Sequence, residues 1–228
     1  MSPHLPAFLD VVEAVREQTS RLLGSTIGYS DEDWAAPTAL TGWTRSHVAA
    51  HLAEGASAMV RVIRGMHSQI PRSLYDSESA KRLGIELGSL ASGLELQIRL
   101  DTSASALQNE FSLLEDDRRE VALSPGHPVR ADTIPLARLS EVVLHHVDLG
   151  GCLEPGDLSD ETEAALLQFH IERIGRHGDY PPLHLVSDTG FEGSVGLPGE
   201  ATEMHGPASD LLLWLTRGHE SPRLYRAT

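Results

Sequence analysis

The chain has 228 residues, 40% of them apolar and 22% charged, which is the composition of an ordinary globular protein built as one domain or as a larger domain with a small companion. A formal charge of −15 excludes a broad nucleic-acid or anionic-membrane surface, because such surfaces need a positive field to release counterions. The opening residues lack a cationic stretch followed by an apolar core, no window approaches the roughly 20 apolar residues of a membrane span, and the single cysteine, Cys152, rules out an internal disulfide and any CxxC metal site, so a cytoplasmic protein is expected.

Phe8, Val12, Val15 and Leu22 mark a first helix over 8–23, interrupted by the polar Thr19. After a loop with Gly28, Pro37 and Gly42, Thr44 stands as an N-cap before a second helix running to about Met66, with Val48, Leu52, Met59, Val60 and Ile63 on its buried face. From Ser77 to Leu114, Leu83, Leu87, Leu90, Leu94, Ile98, Leu107, Phe111 and Leu114 keep near-helical spacing, while Gly84, Gly88 and Gly93 weaken it, so one kinked helix or two are expected. The run EDDRRE and then SPGHPVRADTIP reads as a connection, and PLARLSEVVLHHVDLG as a fourth helix closed by Gly150 and Gly151.

Four such helices predict a bundle over residues 1–150. GCLEPGDLSD is the linker candidate. Beyond it the pattern gives a helix from Asp160 to Arg176, a strand from Leu183 to Ser187, a Gly-punctuated hairpin-like region up to His205, and a short helix PASDLLLWLTRG closed by Gly218. The expected fold class is therefore α+β, with a small α+β domain over residues 151–228.

Glu141 and His145 are four residues apart, which on a helix places their β-carbons about 5–6 Å apart on one face. Their neighbours are apolar enough to bury much of that helix, and a buried carboxylate needs a partner. His51 falls in line with Val48, Gly55 and Met59, on the face assigned to the core. Two imidazoles and one carboxylate from two facing helices match a catalytic zinc site with an open fourth position, and nickel, iron or manganese suit the same donors.

Other residues have plainer readings. An E-x-x-x-H pair is common on helix surfaces and in satisfied polar cores. His47 reads as a first-turn residue near the helix N-terminus, His146 points about 100° away from His145 and reads as core or interface, and Asp148 as tying down the helix end. Cys152 has no basic partner at an informative spacing and reads as a spectator. On spacing alone Arg217, in the last turn before Gly218, complements the helix dipole, and Lys81 and Arg82 form a solvated helix start.

The segments GWTRSHVAAHLAEGA (42–56) and EVVLHHVDLG (141–150) resemble the mycothiol-dependent maleylpyruvate isomerase family, whose N-terminal domain is a DinB-like four-helix bundle. In that pattern a GWT turn precedes a helix carrying AHL, whose His binds metal, and a later helix carries E-x-x-x-H before V-D-L-G. The pattern falls on His51, Glu141 and His145. The resemblance extends to GPASDLLLWLTRG, which implies a catalytic and substrate-binding role for Arg217, and it implies a substrate-binding basic residue in the third helical region, Lys81 or Arg82.

The resemblance also implies two cofactors: a divalent metal, zinc foremost, and a low-molecular-weight thiol, mycothiol or ergothioneine. The metal deprotonates the thiol, whose free pKa is about 8.5. The thiolate adds to the cis double bond of maleylpyruvate, the resulting single bond rotates, and elimination yields fumarylpyruvate. Arg217 would hold a carboxylate and the developing enolate. The same site suits a thiol S-transferase acting on an electrophile, or a metal- or thiol-binding module without catalysis. In each case the partners are a small thiol and a small anionic or electrophilic molecule, with no nucleic acid and no membrane.

Overall fold

Caps and glycines lay out the first of two units in the computed structural model, which describes residues 6–68, 73–124, 127–175 and 180–227. That unit spans Phe8–Cys152, and the main body of the second begins at Leu153. Helix α1 (Phe8–Thr26) buries Val11, Val15, Gln18, Leu22 and Thr26, spaced by three and four. Helix α2 (Asp31–Ala35), five residues that the apolar pattern did not announce, is started by a Ser30/Asp33 capping box and buries Trp34.

Helix α3 (Arg45–His67) begins at the expected Thr44. His47 folds back onto that cap: its Nδ1 accepts from the Thr44 backbone N–H at 3.2 Å and lies 2.8 Å from the Thr44 hydroxyl. The following stretch is two helices, α4 (Glu78–Ser89), whose cap Ser77 accepts from the Ala80 N–H at 3.0 Å, and α5 (Gly93–Glu110), started by a Ser92/Glu95 capping box. The break has a packing cause. At the α5 start a Cβ on Gly93 would lie 2.5 Å from the Trp34 ring, and the Gly93 N–H donates to Asp31 at 3.1 Å, so only glycine admits α2 this close.

Residues 115–133 are more than a connection. Strands β1 (Glu120–Ser124) and β2 (His127–Arg130) pair antiparallel, with Val121 opposite Val129. Helix α6 (Ile134–Asp148) follows, with proline at its first turn, and is buried on nearly every side, as its apolar run predicts. Helix α3 packs on α4, α5 and α6, and α1 on α5 and α6, which closes a bundle around Leu22, Trp34, Val48, Leu52, Leu96, Leu100, Val142 and Leu149. Leu83, Leu87, Leu90, Leu94 and Ile98 keep helical spacing but face outward, while Ile85, Leu96, Leu100 and Leu107 point into the core.

The second unit contains α7 (Asp160–Gly175), β3 (Leu183–Ser187), β4 (Glu192–Val195), β5 (Thr202–Gly206), α8 (Ala208–Arg217) and β6 (Tyr225–Arg226). The expected end of α7 at Arg176 lies outside the described residues. The sheet order is β4-β3-β5-β6. Strands β3 and β4 form the expected hairpin, whereas β5 pairs with β3 in parallel and so crosses over rather than turning back. Gly196 makes the turn after β4 at φ 101°, where a Cβ would stand 2.1 Å from the Pro181 carbonyl oxygen. Helices α7 and α8 pack together beside this sheet, with Leu166, Leu167, Leu185 and Leu211 fully buried. Among the described residues no helix is long and apolar enough to cross a membrane.

Glu163 on α7 is buried in this unit, and its Oε1 has no hydrogen-bond partner. Burial first, then the charges of Asp160, Asp157 and Asp210, push its carboxyl up from 4.5 to about 7. The folded state thus holds this proton more tightly than the unfolded chain does. Its contribution to stability is complete below about pH 4.5 and is lost as pH rises towards 7. Glu163→Gln, which removes the ionisation and keeps the shape, should flatten that decline and gain about 2 kcal/mol at pH 8. Thermal melts of both proteins between pH 5 and 8 check this, and parallel curves would show that Glu163 is not the titrating group.

Candidate metal centre

The turn before α3 sets one wall of the site. Gly42 takes φ 80°, the Thr38 N–H donates to the Trp43 carbonyl at 2.9 Å and the Trp43 N–H to the Leu40 carbonyl at 2.9 Å, which fixes the indole over the start of the helix. The Trp43 ring lies 6.3 Å from the His47 ring, stacked at 29°, and 5.5 Å from the His51 ring, edge-on at 62°.

His51 on α3 and His145 on α6 meet with ring centroids 4.8 Å apart at 81°. The Nδ1 of His51 is buried and has no hydrogen-bond partner. Burial pulls this imidazole down from 6.5 to about 4, Glu141 opposing the shift and His145, Lys81 and Arg138 adding to it, so the ring is neutral at pH 7 and its lone pair is free. His145 Nδ1 lies 2.8 Å from Oδ2 of the buried Asp148. A carboxylate there accepts the Nδ1–H hydrogen bond, fixes the tautomer and leaves the lone pair on Nε2, the pattern found behind metal-ligating histidines.

Glu141 stands one turn before His145, and its Oε2 accepts from Arg138 Nη1 at 3.2 Å. Burial alone would raise this carboxyl, but its neighbours, the Arg138 guanidinium first among them, hold the group below its ordinary range. The same Arg138 nitrogen donates to the Leu52 carbonyl of α3 at 3.0 Å. Among the described residues no group of three or more His, Cys, Asp or Glu side chains stands close enough together to hold a metal ion. The donor chemistry nevertheless fits a divalent ion: an orphaned buried nitrogen, an oriented imidazole and an ionised carboxylate are gathered from two packed helices.

Tyr75, between α3 and α4, is half-buried beside this group. Burial, with Glu141 and Glu54, pushes its phenol up, so it remains a proton-bearing donor. Lys81 Nζ lies 5.5 Å over the Tyr75 ring, and its charge is felt at His51. Arg82 is exposed. Of the two basic residues that the sequence left level, Lys81 is the one near the imidazoles.

Arg217 belongs to the second unit, in the last turn of α8, where Gly218 adopts the left-handed cap at φ 68°. Its Nη1 donates to the neighbouring Thr216 carbonyl at 3.3 Å, and its charge adds to that of Arg173 in depressing the buried His170, after burial itself. His146 faces away from the site: Nε2 meets Ser25 Oγ at 2.9 Å, and a Cβ on Gly151 would fall 2.3 Å from the ring, so the glycine pair is shaped around this histidine. Cys152 is exposed. Cys152→Ser is expected to keep full metal content and turnover, and a folded, metal-loaded but inactive variant would make the thiol a nucleophile.

Sequence reasoning passed over Arg138, Trp43 and Tyr75. Arg138 left a signal, since a lone cation one turn before Glu141 on an otherwise apolar helix must be buried with it. Trp43 was legible only as part of the GWT turn, with no role attached, and Tyr75 left no signal, because it reaches the site from a loop.

The family described as mycothiol maleylpyruvate isomerase N-terminal domain matches residues 15–150. Among solved structures, that of the mycothiol-dependent maleylpyruvate isomerase superposes with a TM-score of 0.86 at 21% identity, over 98% of this chain and 96% of that one. A histidine-to-alanine mutant of the mycothiol-dependent maleylpyruvate isomerase gives 0.82 at 20% identity, over 96% and 98%. These likenesses show a shared fold. No curated protein sequence matches the chain.

Proposed function

Since the chain belongs to the mycothiol maleylpyruvate isomerase N-terminal domain family, we propose that it is a cytoplasmic, metal- and thiol-dependent cis–trans isomerase acting on maleylpyruvate. The observation that carries this reading is the meeting of His51 and His145 at 4.8 Å, one with a buried unpartnered nitrogen and the other oriented by Asp148. His51, Glu141 and His145 would hold the ion, zinc foremost for this nitrogen and oxygen donor set, and its chemistry is that of a Lewis acid that lowers a thiol pKa from about 8.5.

The chain's own groups do the rest. Asp148 keeps His145 in the ligating tautomer. Trp43 packs edge-on against His51. In the reaction the sulfur of mycothiol bonds to one carbon of the cis double bond, and the displaced electron pair moves onto the neighbouring ketone oxygen as an enolate. Rotation about the new single bond follows. The electron pair then returns, re-forms the double bond in the trans arrangement and expels the sulfur, so the thiol is recovered unchanged. Lys81 offers an ammonium, and Tyr75 a protonated phenol, to the developing negative charge. Arg217 is assigned a carboxylate of the substrate, for which its planar fork is suited.

The test is an absorbance assay of maleylpyruvate with zinc-reconstituted protein and mycothiol, repeated with ergothioneine. Many turnovers per thiol, with the thiol recovered intact, are expected with mycothiol. Mole-for-mole consumption of thiol would identify an S-transferase instead, and no reaction with either thiol would remove the catalytic reading.

A further inference from the structure

Arg138 sits on α6 one turn before Glu141 and is 3% exposed. One of its nitrogens, Nη1, donates both to Glu141 Oε2 at 3.2 Å and to the carbonyl of Leu52 at 3.0 Å. Leu52 follows His51 on α3. A single buried guanidinium nitrogen therefore joins the two helices at one candidate ligand, Glu141, and at the backbone next to another, His51. Packing does not account for a charge at this position: an apolar side chain of similar bulk fills a buried space without the desolvation cost of a guanidinium.

We infer that Arg138 is a positioning residue of the metal centre, holding Glu141 through Oε2 so that Oε1 is the oxygen presented to the ion. Its charge has a second consequence. A divalent ion with one carboxylate and two neutral imidazoles would carry one net positive charge, to which Arg138 adds a second in direct contact with Glu141, beside the ammonium of Lys81 further out. In a chain of net charge −15 that local excess favours an anionic sulfur and an anionic substrate over their neutral forms. The inference rests on the metal reading above, and a test on the full-length protein separates the two.

Cobalt(II) serves as the probe because its visible bands report coordination number and ligand arrangement. Wild-type protein is expected to bind it with a defined spectrum. Arg138→Met, close in volume but uncharged, should bind cobalt 10–100-fold more weakly, the usual effect of losing a group that orients a ligand, and with altered bands. Arg138→Lys keeps the charge without the fork and should recover part of the affinity. A folded Met variant with a lowered melting temperature but wild-type affinity and spectrum would overturn the inference and reduce Arg138 to a strut between helices. If the Met variant does not fold, Arg138→Gln replaces it with the same two outcomes. Wild-type protein that takes up neither cobalt nor zinc would remove the metal reading and this inference together, a result no Arg138 variant can imitate.

Discussion

His51→Ala, Glu141→Ala and His145→Ala are each expected to lose most of the bound metal. In the proposed centre three protein ligands leave no redundancy, and a fourth position kept open for the thiol makes it depend on all three. Elemental analysis after dialysis is the measurement, and near-stoichiometric zinc in any two of the variants would sink the assignment. The apo proteins should differ from one another. Removing His51 deletes a buried nitrogen that has no partner, so the metal-free variant loses packing but no hydrogen bond. Removing Glu141 strips the buried Arg138 of its counter-charge, which should cost about 3–5 kcal/mol of stability. Glu141→Gln leaves an amide oxygen for Arg138 and should recover much of that stability while still weakening metal binding. Melting temperatures of the apo variants therefore read out the Arg138–Glu141 pair, and zinc content reads out the centre.

The second large effect is expected at Arg217. If it only complements the end of α8 and caps the Thr216 carbonyl, Arg217→Gln should cost about 0.3–1 kcal/mol and leave turnover almost untouched. If it holds a substrate carboxylate against the enolate, the same change should lower the rate by about 10²–10³-fold, the loss seen when one donor to a developing oxyanion is removed. Zinc content should stay at the wild-type value in either case, since Arg217 is not among the ligands. Arg217→Lys should rescue in part, keeping the charge but not the planar fork. Steady-state kinetics with melting temperatures and zinc content decide between the readings, and wild-type turnover in the Gln variant would take Arg217 out of the chemistry.

The parts of the fold that were legible in the sequence are those in which one helix face repeats. Phe8, Val12, Val15 and Leu22 announce α1, although the buried face takes Val11 with Val15 and Leu22 and leaves Phe8 and Val12 partly exposed, and Val48, Leu52, Met59 and Ile63 announce α3 because the same side of the helix meets the core. The stretch after Ser77 shows where such patterns stop informing. Leu83, Leu87, Leu90, Leu94 and Ile98 repeat as regularly as a core stripe yet face outward, because α4 and α5 are separate helices that each turn other residues, Ile85 and Leu96 among them, inward. The β1–β2 hairpin and the parallel pairing of β3 with β5 were not legible, since four or five residues carry too little alternation to fix a pairing or its direction.

By itself the sequence determined the chemistry on offer. Glu141 and His145 four apart on an apolar helix, with His51 on the inner face of another, offer three candidate donors whatever the packing. Only the tertiary structure decided how those donors are held. It brought the His51 and His145 rings edge to face, gave His145 to Asp148 and left His51 Nδ1 without a partner. It separated Lys81, over Tyr75 and near His51, from the exposed Arg82, a choice that adjacency in the chain cannot make because successive helical residues point about 100° apart. It also placed Arg138 between Glu141 and Leu52, where the chain brings residues 86 positions apart within 3.0 Å. Spacing fixes which side chains share a face, but the distance between two faces is set only when the helices pack.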